Sequence, residues 1–228
     1  MHIFYHDNIT MSPTEKTRRQ RSNIKQVARK TRKYRPAYRY PALYQKENKY
    51  GLGTYTHKNI PKGTVIIRER PHLLDEPYDD KYKFKLIRYL LNTHRDDFLN
   101  LVPHSLDETT NIDYRDLEAN HREFFPELDQ DTMRLYYYKI MRNWFRFDEK
   151  GVILFYATKL NHSCESNVRY FKRGNNMCFE TKRDIKAGEE LFDSYISCFD
   201  CKEERQRQLK RRYGFDCMCK KCLTETNK

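Results

Sequence analysis

The chain has 228 residues, of which 38% are hydrophobic and 34% charged, and its formal net charge is +13. That is enough apolar material for one packed domain with appendages. No run of about 18 apolar residues offers a membrane span, and residues 1–19 lack the apolar stretch of a signal peptide, so a soluble intracellular protein is expected.

The charge is unevenly placed. Residues 1–50 hold 13 Lys/Arg against three acids, and the tract 16–39 holds 11 basic residues and no acid. Apolar residues there are sparse and follow no period, so residues 1–45 are expected to form a disordered basic arm. Such a tract serves as a nuclear-import signal or contacts nucleic acid or acidic chromatin surfaces. A nuclear protein is the expectation, with cytoplasmic residence or a solubilising tail as the alternatives.

Ordered structure is expected from about Pro41. Tyr50-Gly51-Leu52-Gly53-Thr54 reads as a tight glycine turn, and Asn59–Gly63 as a second turn before a strand at 64–68. Residues 79–102 carry Phe84, Ile87, Leu90, Leu91, Phe98 and Leu101 near helical spacing, which predicts an amphipathic helix. Further helices are predicted over 113–124 and 128–145. Beyond Gly151 the pattern changes to short strands, at 152–156, 168–171, 177–181 and 190–196, with a hairpin turn at Gly174-Asn175-Asn176. A charged helix over 202–212 leads into a cysteine cluster.

All seven cysteines lie between Cys164 and Cys222, an odd number that fits poorly with a secreted disulfide framework. Cys217, Cys219 and Cys222 offer three thiolates within six residues. Structural zinc takes four tetrahedral ligands, so a fourth must come from elsewhere. Cys164, Cys198, Cys201 and nearby histidines are the candidates. Cys198 and Cys201 form a separate C-x2-C pair that is expected to stay idle.

Three segments carry a family resemblance: Asn161-His162-Ser163-Cys164, then Gly188-Glu189-Glu190-Leu191-Phe192-Asp193-Ser194-Tyr195, then Tyr213-Gly214-Phe215-Asp216-Cys217-Met218-Cys219 with Cys222. In this order they resemble the SET-domain protein lysine methyltransferases, nearest in pattern to the SET-and-MYND branch. No cysteine lies between residues 51 and 163, so the zinc-binding MYND insert is not expected, nor is that branch's C-terminal helical domain.

The resemblance implies an α+β protein. It would have a mainly-β SET (β-clip) fold over 46–214, a helical insert at about 76–148, and a zinc-binding post-SET segment at 215–228. It implies zinc on Cys164, Cys217, Cys219 and Cys222. It places S-adenosylmethionine against Gly51, Leu52, Gly53, Asn143, Thr158, Leu160, Asn161, His162, Tyr195, Tyr213 and Phe215. Tyr195 becomes the catalytic residue, and Asp193, Tyr195 and Tyr213 line the channel of a protein's target lysine, expected on a histone tail. Taken singly, each residue has a plainer reading: a lone G-x-G turns the chain, Asn161 and His162 satisfy a polar turn, and a strand tyrosine packs in a core. Asp193 either shares a strand face with Tyr195 or points to solvent from a bulge.

Methyl transfer to lysine requires a neutral amine, against a reference pKa of about 10.4. An apolar channel and a neighbouring sulfonium both disfavour the ammonium, so Tyr195 is expected to position rather than to act as a strong base. The rival reading is a catalytically weak SET module that binds chromatin or nucleic acid through its arm. Within the arm, Lys25-Gln26-Val27-Ala28-Arg29-Lys30-Thr31 resembles a histone-tail stretch, which makes Lys30 a candidate for self-methylation or for histone mimicry.

Overall fold

The computed structural model of the chain describes residues 37–48, 51–72, 75–107 and 111–225. The basic tract up to residue 36, with Lys30, lies outside the described residues, as does Tyr50. Among the described residues no helix is long and apolar enough to cross a membrane.

Among the described residues, ten short strands form three sheets. The first sheet has the order β1 (Tyr38–Arg39), β4 (Val65–Glu69), β9 (Asn176–Thr181), β8 (Val168–Arg173). The second has the order β2 (Leu43–Asn48), β3 (Gly51–Thr56), β10 (Glu190–Asp193), β7 (Asn161–His162). A separate hairpin joins β5 (Trp144–Phe147) to β6 (Lys150–Ile153). Strands β1 and β2 put residues 37–45, expected in the arm, inside the folded unit that begins at Ala37.

The sheets share one core. Ile66 and Ile67 of β4, Phe179 of β9, Leu191 of β10, Val152 of β6 and Leu160 are each at most 1% exposed. Burying a side chain of this size stabilises by roughly 1.5–3 kcal/mol.

Between β4 and β5 runs the helical insert: α1 (Tyr82–Thr93), α2 (Arg95–Leu99), α3 (Glu118–Phe124) and α4 (Gln130–Asn143). The single helix predicted over 79–102 is broken at His94, whose φ of −142° and ψ of 42° leave the helical region. The apolar faces of these helices bury Phe84, Ile87, Leu90, Phe98, Met133 and Ile140 in a second core that reaches the sheets through Ile153. At the start of α4, Asp129 caps the helix by accepting the Thr132 backbone N–H at 2.8 Å. Buried in α4, Lys139 donates to the carbonyls of Leu99, Leu101 and Pro103, tying the helix to the preceding loop.

The C-terminal part is α5 (Lys202–Tyr213), a turn, and α6 (Lys220–Thr224). Glu203 and Glu204 in the first turn of α5, and Lys210, Arg211 and Arg212 in its last, complement the helix dipole. Gly214 stops it: at φ +79° it is left-handed, and its N–H donates to the Leu209 and Lys210 carbonyls. That reversal sends Phe215 and Cys217 back toward Cys164.

Candidate active site

The site forms where β7 runs beside β10. The two strands are parallel, with Asn161 opposite Phe192 and His162 opposite Asp193. The Ser163 N–H donates to the Asp193 carbonyl at 2.9 Å and holds the strand ends together.

Glu190, at the start of β10, is the hub on the β3 side. Its carboxylate accepts from Asn161 Nδ2 at 2.8 Å, Tyr55 Oη at 2.9 Å and Asn48 Nδ2 at 3.0 Å. Gly53 makes room for it, since a Cβ there would overlap Glu190 Oε1. The glycine segment is therefore not a turn. Gly51, Leu52 and Gly53 lie in β3, paired with Asn48, Glu47 and Lys46 of β2.

A second carboxylate shapes the next loop. Glu69 of β4 is buried and accepts the backbone N–H groups of Tyr156 at 3.0 Å and Ala157 at 2.9 Å. Burial pushes its carboxyl up to about 7. It caps the short 3-10 turn Ala157–Lys159, which delivers Leu160.

Tyr195 is held by three contacts. Its hydroxyl donates to the Leu160 carbonyl at 2.7 Å, its backbone N–H donates to His162 Nδ1 at 3.1 Å, and its ring lies 4.9 Å from that of Tyr213. Burial, and then Asp193 and Tyr213, raise its hydroxyl pKa well above the phenol range, so it is a neutral donor. His162 is neutral too. Burial, then Arg205, lowers its pKa to about 4. With Nδ1 accepting, the ring proton sits on Nε2, which is 3.4 Å from Cys164 Sγ.

Cys164, Cys217, Cys219 and Cys222 come together, with all four sulfurs within 4.8 Å of one another. Cys164 Sγ lies 3.6 Å from Cys222 Sγ and 3.9 Å from Cys217 Sγ. A tetrahedral zinc with Zn–S of about 2.3 Å demands S···S of roughly 3.8 Å. The donor set therefore fits zinc in number, type and spacing. Cys198 and Cys201 are outside the cluster. Instead Cys198 lies near the Ser194 hydroxyl, and Cys201 is exposed at the start of α5.

Arg205 supports this cluster from below. It is fully buried and donates to Glu225 Oε2 at 2.5 Å, the Asp200 carbonyl at 2.6 Å and Cys222 Sγ at 3.7 Å. A guanidinium beside four thiolates offsets the negative charge that remains after zinc binds.

Two cavities meet at Tyr195. The larger, about 800 Å³, is lined by Asn161, His162, Tyr195, Phe215, Met218 and neighbours, within the roughly 300–1,000 Å³ of small-molecule sites. The smaller, about 360 Å³, is lined by Asn143, Phe145, Thr158, Tyr170, Asp193, Tyr195 and Tyr213, with Arg142, Arg146, Lys150 and Arg212 also on its walls.

The expected cofactor residues thus divide. Asn161, His162 and Phe215 face the larger cavity; Asn143, Thr158 and Tyr213 face the smaller. Gly51, Leu52 and Gly53 line neither, and Leu160 contributes its carbonyl. Both amide hydrogens of Asn143 are committed, to the Val102 carbonyl at 2.5 Å and the Lys139 carbonyl at 2.8 Å. Asp193 is 3% exposed and faces the smaller cavity beside Tyr195, which overturns the solvent-facing alternative. Burial pushes its carboxyl up to about 7.

Four residues of the site escaped the sequence reading. Glu190 stood inside a quoted motif, yet nothing local marks it as a hub. Phe145 falls at the end of a predicted helix, Tyr170 carries only a strand-like aromatic signal, and Arg205 hides in a charged helix.

With this geometry in hand, comparison decides the family. The family model described as the SET domain matches residues 51–196. This is a SET-domain protein. A SET domain-containing protein of Acanthamoeba polyphaga mimivirus is 30% identical over 190 residues, 77% of this chain and 74% of its own. Histone-lysine N-methyltransferase set5 of Schizosaccharomyces pombe is 29% identical over 181 residues, 78% of this chain and 49% of its own. SET domain and MYND-type zinc finger protein 6 of the same yeast is 42% identical over 77 residues, 33% of this chain and 16% of its own. The chain therefore spans half or less of the length of these two yeast SET proteins. Among solved structures, Rubisco LSMT bound to AdoMet shares the fold with a TM-score of 0.57 at 16% identity, over 78% of this chain and 52% of its own. The α+β SET fold with its helical insert is as expected from the sequence.

Proposed function

We propose that this SET protein is an S-adenosylmethionine-dependent protein lysine N-methyltransferase. The observation that carries the reading is that Tyr195 stands on the wall of both cavities. One cavity has the size and polar groups for the cofactor, with Asn161, His162 and Phe215 as contacts. The other, about 360 Å³, has the rings of Phe145, Tyr170 and Tyr213 on its walls. A methyl passed between them crosses at Tyr195.

S-Adenosylmethionine supplies an electrophilic methyl on a sulfonium. The protein's part is positional. The Tyr195 hydroxyl, aimed at the Leu160 carbonyl, fixes polar groups around the point of transfer. The aromatic walls exclude water and favour the neutral amine. Zinc, held by Cys164, Cys217, Cys219 and Cys222, is structural: with four protein ligands it leaves no open position for chemistry. It pins Phe215 against the β7 strand, and the His162 ring, placed between Cys164 and the Tyr195 backbone, joins the metal site to the reaction site.

For the substrate we propose a histone tail, supported by the name of the yeast set5 relative, and for the residence the nucleus, supported by the basic tract 16–39. The smaller cavity's wall carries Glu149 as well as Arg142, Arg146, Lys150 and Arg212, so peptides with acidic and with basic neighbours to the lysine belong beside histones in the test panel. Incubation with methyl-labelled cofactor and that panel, followed by mapping of the label, tests the reading. Label on lysine side chains is expected. Cofactor binding without transfer to any protein would favour instead a catalytically weak SET module that binds chromatin or nucleic acid.

A further inference from the structure

Asp193 is a carboxyl in an unusual place. It ends β10, its backbone is fixed by the Ser163 N–H, and its side chain is 3% exposed inside the smaller cavity. Tyr195, Tyr213, Tyr170 and Phe145 surround the same space. Lys182 acts on it only through its field, and Arg146 and Arg212 stand on the cavity wall. Among the described residues no lysine or arginine forms an ion pair with it. The Ser194 backbone N–H donates to it, a lighter compensation than the buried Arg205 receives from the Glu225 carboxylate. A buried carboxyl facing an aromatic passage without a cation is costly unless the passage receives one.

We infer that Asp193 receives the ammonium group of the substrate lysine and removes its proton, so that the methyl-accepting amine is generated by a carboxylate inside the channel. This assignment rests on the methyltransferase reading above. The steps balance as follows. The lysine ammonium gives one proton to the Asp193 carboxylate, leaving a neutral amine and a carboxylic acid. The amine's lone pair forms the N–C bond to the methyl, and the electron pair of the broken C–S bond stays on sulfur. The methylated nitrogen now carries the positive charge, and Asp193 releases its proton to solvent through the cavity mouth.

A channel with aromatic walls alone must rely on desolvation and the sulfonium to deprotonate the lysine. A carboxylate in the channel lowers the pH at which the reaction runs, because a base needs only to be ionised. Its elevated titration, near neutrality and caused by burial, suits that task. Tyr195, Tyr213 and Tyr170 face it as well, and burial keeps all three neutral across the working range; the charged groups on the same cavity wall are Arg142, Arg146, Glu149, Lys150 and Arg212.

The test compares the wild type with Asp193→Asn, an isosteric change, using the panel protein or peptide that accepts most label. Initial rates are measured from pH 6 to 9.5, with cofactor affinity by calorimetry and a melting curve to show that the variant is folded. The expected result is a rate about 100-fold lower at pH 7, a rising limb displaced upward by roughly one pH unit or more as the lysine's own ionisation takes over, and convergence toward the wild type at pH 9.5. A purely structural role would lower the rate evenly at every pH. An active wild type whose profile superimposes on that of the folded variant overturns this assignment alone. A wild type that binds no cofactor and transfers no methyl at any pH overturns the underlying reading and this one with it.

Discussion

If Asp193 is kept for the reaction, the folded protein should be more stable without its charge. The carboxyl is raised from 3.8 to about 7 by burial. A folded-state value above the unfolded one means that the folded state binds the proton more tightly. That contribution is fully present below about pH 4 and is lost as pH rises through about 7. A shift of roughly three pH units corresponds to about 4 kcal/mol. Asn cannot ionise, but its buried amide still needs partners, so Asp193→Asn should stabilise the protein at pH 7.5 by about 2–4 kcal/mol, or roughly 4–16 °C in Tm for a domain of this size. The pH dependence is the sharper signature. Between pH 5.5 and 7 the advantage of the variant should grow by about 2 kcal/mol and then level off. Glu69, raised to about 7, and His72 and His162, lowered to about 4, also titrate, but they do so in both proteins and cancel in the difference. The assay is urea unfolding of both proteins at several pH values with zinc held in excess. An advantage that does not change with pH, or a variant less stable than the wild type at pH 7.5, would refute the reasoning.

Two further outcomes follow from the contacts. Cys219→Ser should lose the zinc measured by elemental analysis and melt well below the wild type, because the metal's binding energy contributes to folding; a wild type purified without zinc would contradict the four-thiolate assignment. Glu190→Ala should free Asn48, Tyr55 and Asn161 together and weaken cofactor binding by about tenfold or more, since each stranded polar group costs roughly 1–3 kcal/mol; an unchanged dissociation constant would remove Asn161 from the cofactor site.

The elements that a local pattern can carry were legible in the chain. The β8–β9 hairpin is marked by Gly174 and Asn175 between alternating residues, and α5 by its charged run ending at Gly214. The β5–β6 hairpin was not legible. Trp144, Phe145 and Phe147 continue the spacing of α4, and what turns them into a strand is Gly151, which packs beneath the Trp144 ring where a Cβ would overlap it. That contact is visible only when both strands are in place. The glycine segment misread for a related reason, because Gly53 is set by Glu190, 137 residues away in the chain. The two readings of Asp193 were decided by the parallel pairing of β7 with β10, a long-range event to which strand periodicity is blind. Cys164 was one of several candidates by spacing; the fold brings it alone to the other three.

The central claim is that a methyl passes to a lysine at Tyr195, and Tyr195→Phe tests it most directly. The change removes the hydroxyl that donates to the Leu160 carbonyl and leaves the ring. Side by side, calorimetry reads cofactor affinity and label mapping reads transfer to lysine. The account predicts transfer reduced by about 100-fold or more, the scale of one lost positioning or polar group at a transition state, with the cofactor dissociation constant within a few-fold of the wild type. A variant that keeps full turnover would contradict it.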